Sequence, residues 1–198
     1  MKKSQKLVLL ATIACFTGFG FNVAQATDID VTATMTASAA VTVANSSNID
    51  FGGIDFTGAH SGTLELGPDG NVALGGGSAN LTLTGASTAG QLDVTSSAGT
   101  IEVTCDATAV IGDGTQDLNI TTIVWDTSAA TYGAASNTCG GLGVGAVAID
   151  TGASNDPSLF VGAELTIGAN ELAASSGSTP FDTSTGGGDP ITFRLVFQ

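Results

Sequence analysis

The chain has 198 residues, with 18 acidic against 4 basic side chains, a net charge of −14 at neutral pH and a single histidine. So acidic a chain repels nucleic acid and anionic lipid, which excludes both as partners. One histidine, and no lysine beyond Lys6, exclude most general-base and Schiff-base schemes, so neither an enzyme nor a bound cofactor or metal is expected.

Lys2, Lys3 and Lys6 precede an apolar run from Leu7 to Phe21, and Ala24-Gln25-Ala26 has the form of a cleavage site. Residues 1–26 therefore read as a cleaved secretory signal. The run is shorter than the roughly 20 apolar residues of a membrane anchor, so no span is expected after cleavage. The expected destination is the periplasm and then the cell surface or extracellular space. Cysteine usage agrees with export, because Cys15 leaves with the signal and Cys105 and Cys139 remain as an even pair for an oxidising compartment. A bridge between them closes a loop of roughly 35 residues, worth about 3–4 kcal/mol on the loop-entropy model. With no Cys-x-x-Cys, its role is structural.

Residues 28–36 alternate strictly, with Ile29, Val31, Ala33 and Met35 on one face and Asp30, Thr32, Thr34 and Thr36 on the other. This pattern predicts a strand with one apolar stripe. Residues 27–47 are read as an N-terminal extension, with a second short strand around Val41 and Val43, and 48–198 as the domain body. The body opens with Ile49-Asp50-Phe51-Gly52-Gly53-Ile54-Asp55-Phe56, in which the apolar phase slips by one residue at the glycine pair. A bulge or sharp bend is expected there. His60, among glycine, alanine and serine, reads as an exposed loop histidine.

Gly67-Pro68-Asp69-Gly70 separates two alternating runs and predicts a hairpin in which Leu64 and Leu66 face Val72 and Leu74. Further strands are expected at Leu81 and Leu83, at Leu92 and Val94, at Ile101, Val103 and Cys105, and from Leu118 to Trp125. Cys105, in phase with Ile101 and Val103, should point into the core. Residues 132–145 read as a loop tethered by Cys139. Leu159, Val161, Ala163, Leu165 and Ile167 predict a strand, 173–188 a Ser/Thr/Gly linker, and Ile191, Phe193, Leu195 and Phe197 a last alternating strand. Asp113 and Asp117, or Asp69 beside Asn71, could hold calcium loosely, but the spacing matches no EF-hand loop and a solvated turn explains them as well.

Short strands between turns, without helical periodicity, predict an all-β antiparallel immunoglobulin-like sandwich, with a closed barrel as the alternative. An outer-membrane barrel lacks its aromatic girdles here. Apolar stripes at both chain ends suit polymerisation by strand addition, in which one subunit's extension joins the open sheet of the next. Ile29, Val31 and Met35 would each supply about 1.5–3 kcal/mol when fully buried, against about 1–2 kcal/mol of ordering entropy per residue, so a well-formed groove is required. Residues 28–36 read equally well as the first strand of their own sandwich. A monomeric secreted adhesive or ligand-binding module, using loops near Tyr132 and 175–188, is the competing function.

The succession Ile49-Asp50-Phe51-Gly52, Gly62-Thr63-Leu64-Glu65-Leu66, Pro68-Asp69-Gly70, Leu81-Thr82-Leu83-Thr84-Gly85-Ala86 and Leu159 to Asn170 resembles the secreted bacterial family designated domain of unknown function 4402. Residues 29–52 are also similar to the N-terminal regions of archaic chaperone-usher fimbrial subunits, including the spore-coat-U-like group. That resemblance implies a pilin-like fold, a periplasmic chaperone and usher as partners, and a homo-polymer built by strand exchange. It makes Ile29, Val31, Ala33 and Met35 the donor residues, and Ile191, Phe193, Leu195 and Phe197 a chaperone-facing C-terminal strand. Unlike many such pilins, residues 37–40 carry no cysteine.

Overall fold

The computed structural model describes residues 41–96, 99–151, 156–174, 181–184 and 187–197, except the side chains of Ala173, Ala174 and Phe197. The candidate signal and the donor residues Ile29, Val31, Ala33 and Met35 lie outside this set. The described chain is an all-β sandwich in which every strand pair is antiparallel.

Twelve strands run in chain order: β1 (Val41–Ser47), β2 (Gly53–Leu66), β3 (Val72–Leu74), β4 (Ala79–Thr84), β5 (Gly90–Ser96), β6 (Thr100–Cys105), β7 (Ala109–Gly112), β8 (Asp117–Asp126), β9 (Asn137–Thr138), β10 (Val147–Asp150), β11 (Ser158–Ile167) and β12 (Phe193–Phe197). β11 is the axis of the larger sheet. Its odd residues Leu159, Val161, Ala163, Leu165 and Ile167 are 0–3% exposed, as the alternation predicts. β8 pairs along one edge of β11, while the other edge is shared by β5 at its start and the second half of β2 at its end. β1 flanks β5, β3 flanks β2, and β7 and β9 divide the far edge of β8. In the smaller sheet β6 lies between β10 and β12.

The core forms where these sheets face each other. Leu64, Leu66, Val94, Ile123 and Trp125 of the larger sheet join Ile101, Val103 and Cys105 of β6 in one buried cluster. Cys105 is bonded to Cys139, immediately after β9, so the disulfide ties the end of β6 to the larger sheet. Trp125 reaches the same face as Ile120 because the β8–β11 register shifts beside Ile120 and Thr122, inserting one extra residue.

Two boundaries differ from the sequence reading. Residues 41–47, assigned to the extension, are hydrogen-bonded to β5 from Val41 to Ser47, so they belong to the sheet of the body. The linker read over 173–188 is partly structured: Glu171–Ala174 forms a 3-10 turn, and Asp182 and Asp189 bridge back to Gly112 and Val110 of β7. β7 and β10 were not anticipated, since each is four residues long and shows almost no alternation to read.

The predicted hairpin is present, with Leu64 opposite Leu74 and Leu66 opposite Val72. Its turn packs on β11, where a Cβ at Gly162 would stand 2.2 Å from the Leu66 carbonyl oxygen and 2.9 Å from Pro68. Both contacts are rigid. Gly162→Val is therefore expected to cost about 3 kcal/mol by overpacking, read as a lower urea midpoint with an unchanged slope.

Two carboxylates fasten loops to this frame. Asp126, at the end of β8, accepts hydrogen bonds from the Ser128 amide (3.0 Å) and hydroxyl (2.9 Å) and from the Ser136 amide (2.9 Å). Burial pushes its pKa up, but the Ser136 and Ser128 hydrogen bonds outweigh burial and hold it at about 2, below the ordinary 3.8. Asp93 is likewise held at about 2, by Ser158 first and then Ser46 and Gln91. Because both folded values are depressed, the stabilisation is complete above about pH 4 and is lost as pH falls towards 2. Unfolding at pH 7 should show wild type more stable than Asp126→Asn, and the difference should vanish by about pH 2.

Candidate functional site

The apolar slip at Gly52-Gly53 marks a structural corner. Asp50 makes an isolated two-bond bridge to Thr88, and its carboxylate accepts the Gly52 amide at 2.8 Å. Gly52 has φ +73°, which L side chains rarely adopt, and a Cβ there would lie 2.9 Å from the Ala86 carbonyl oxygen. The bend places Phe51 inside at 8% exposure and starts β2 at Gly53. A second break follows that was not expected: Gly58 has φ +63°, and the β2–β4 register shifts between Phe56 and Ser61. The first half of β2 thus pairs with β4, and the second with β3 and β11.

Between the first half of β2 and the chain leading into β12 lies an open groove of about 860 Å³. Its floor is Leu64, Leu118, Ile120 and Leu165, all 0–3% exposed and drawn from β2, β8 and β11. Phe51, Ile54 and Phe56 wall one side; Phe181, Pro190 and Ile191 wall the other. Polar groups such as Asn48, Asp50 and Asp182 are among the remaining lining residues. Phe56 is 40% exposed although it is a large aromatic side chain. Among the described residues, Gly53–Phe56 pairs with β4 alone and β12 with β6 alone. Among the described residues the other edge of Gly53–Phe56 therefore has no main-chain partner, the template for an added strand, whereas the opposite wall is bridged to β7 through Asp182 and Asp189.

His60 corrects the sequence reading. It is 3% exposed rather than displayed in a loop. Its Nε2 lies 3.2 Å from the Leu172 amide nitrogen and its Nδ1 3.0 Å from the Gly58 carbonyl oxygen. A backbone N–H can only donate, so Nε2 accepts and Nδ1 carries the proton given to Gly58. Both ring nitrogens are engaged in the fold. The signal that could have revealed this is Gly58, whose conformation turns residues after it inward.

Of the other candidate residues, Ile191 lines the groove, while Phe193 and Leu195 pack against the core from β12. The Phe197 backbone pairs with Ile101. The carboxylates weighed for calcium serve turns: Asp69 accepts the Asn71 amide at 3.1 Å, and Asp113 those of Thr115 and Gln116 at 2.8 and 2.7 Å. Asp117 accepts the Gly187 amide at 3.3 Å. Tyr132 lies beside the hairpin turn, where burial first, and then the negative charge of Glu164 and Glu65, push its hydroxyl pKa up. Phe181 and Pro190 were missed as groove residues; Phe181 is the lone aromatic between Ala173 and Gly188, which was the available sign.

Among the described residues no helix is long and apolar enough to cross a membrane. Fold and site together define an antiparallel β-sandwich with an open apolar groove beside one strand edge that has no partner among the described residues. No protein-family model, no characterised protein and no solved structure matches the chain.

Proposed function

We propose that this chain is a structural subunit, exported through the periplasm to the cell surface or extracellular space, that assembles into a fimbria or biofilm fibre by donor-strand addition. The fold would then be pilin-like in the finer, immunoglobulin-type sense, with the groove as its acceptor site. Residues 28–36 are the donor, with Ile29, Val31, Ala33 and Met35 entering the groove of the next copy. A periplasmic chaperone would guard the unfilled groove and an usher would hand subunits on.

One observation carries this reading: an apolar groove flanked along Gly53–Phe56 by a strand edge that has no main-chain partner among the described residues. A small-molecule site is chiefly concave and apolar with a few convergent polar groups. It has no use for an open strand edge. An extended peptide uses it, taking main-chain hydrogen bonds from that edge and burying alternate side chains in the groove.

Ile54→Asp places a charge in the groove wall at a half-buried position. The secreted variant is expected to stay folded as a monomer, less stable than wild type by about 1–3 kcal/mol, and to lose detergent-resistant polymers in unheated gels. Polymers formed as readily as by wild type would count against the groove as the acceptor.

A further inference from the structure

We propose that His60 is a pH-sensitive latch that sets one end of the groove. Three hydrogen bonds join it to the segment after β11: the His60 amide to Asn170 Oδ1 (3.2 Å), the Asn170 amide to the His60 carbonyl oxygen (2.8 Å), and the Leu172 amide to His60 Nε2 (3.2 Å). Asn170 makes them at φ +57°, a left-handed conformation that asparagine adopts more readily than most non-glycine residues. The ring also packs on Phe56, with centroids 4.2 Å apart. Leu172 and Phe56 both line the groove. One imidazole therefore holds two groove residues from two separate elements.

Only an Nε2 lone pair can receive the Leu172 amide. Imidazole is the side chain that exchanges such an acceptor for a second N–H donor on mild acidification. A proton at Nε2 would set two donors against each other in a site with 3% exposure, and the way to relieve this is for Leu172 and its turn to move off β2. Among the described residues no nearby carboxylate substitutes for the lost acceptor. The Glu171 carboxylate is committed to the Gly168 amide and Gln116 Nε2. On β2, Asp55 is exposed and Glu65 lies in the register opposite Glu164. β4 contributes no ionisable side chain. Acid thus loosens the Leu172 end of the groove while the disulfide-tied core stays closed.

The consequence for assembly rests on the strand-acceptor reading, but the latch is measurable without it. Amide hydrogen exchange on the chain from residue 27 to 198, corrected for the intrinsic rate, should show Leu172 protection falling at least tenfold between pH 7.5 and pH 5, with Ile101 of β6 unchanged. His60→Gln, whose amide oxygen accepts at both pH values, should abolish the fall. Constant wild-type protection at Leu172 overturns the latch, as does an undiminished fall in His60→Gln. Binding of a synthetic peptide of residues 27–36 should weaken at least tenfold over the same range. If Leu172 responds and the peptide binds at neither pH, the latch stands and the strand-acceptor reading fails.

Discussion

Deletion of residues 27–40 should convert the secreted protein from heat-labile, detergent-resistant polymers into a folded monomer. The deleted residues precede β1, and the body from Val41 onward forms a compact unit by its own contacts. Loss of the extension therefore leaves every described strand in place. The removed segment carries a strictly alternating apolar stripe, and Ile29, Val31 and Met35 would each contribute about 1.5–3 kcal/mol when fully buried in an acceptor. The expected outcome on an unheated detergent gel is the disappearance of the ladder. The expected outcome by circular dichroism is an unchanged β spectrum. A ladder that persists after deletion would mean that the subunits are joined by some other surface.

Removing the disulfide should have the largest effect on stability. Cys105 and Cys139 are 2% and 6% exposed, and 34 positions separate them. On the loop-entropy model the bond contributes about 3–4 kcal/mol by restricting the unfolded chain. For a body of this size that corresponds to a fall in Tm of about 10 °C. The bond also acts locally. The Cys139 amide donates to the Ile123 carbonyl and the Gly141 amide to that of Cys105, so the loop after β9 is fixed where it crosses between sheets. Cys105→Ser with Cys139→Ser should lower Tm by that amount, and wild type in strong reductant should match it. An equal Tm with and without the bond would place the stabilisation elsewhere.

The fold was legible where burial is one-sided. β6 and β11 alternate because one face meets the core, and the sequence pattern carries that through to residues buried at 0–3%. The hairpin at Gly67 to Gly70 was legible for a different reason, since its proline and glycines have backbone preferences of their own. Short strands were not. β7, β9 and β10 have four residues or fewer and are defined by what they pair with, which no local window contains. His60 was misread because a single small-residue context looks like a loop, whereas the bulge at Gly58 keeps β2 running and turns the ring inside.

The groove was half legible. The bend at Gly52 and the apolar residues on either side of it were readable, and so was the alternation of Ile191, Phe193 and Leu195. That Ile54 and Ile191 wall one cavity depends on β2 pairing with β11 only from Gly62 onward and on Asp182 and Asp189 bridging to β7. Both are long-range events. They couple residues more than a hundred positions apart, beyond any periodicity argument.

A cysteine cross-link between donor and groove tests the central claim most directly. Val31→Cys combined with Ile54→Cys should yield, after secretion and mild oxidation, a ladder of covalent multimers on a heated non-reducing gel that collapses to monomer on reduction. Neither single variant should give more than a dimer. A product that stays monomeric, whether through an intrachain bond or through two free thiols, would contradict donor-strand assembly between copies.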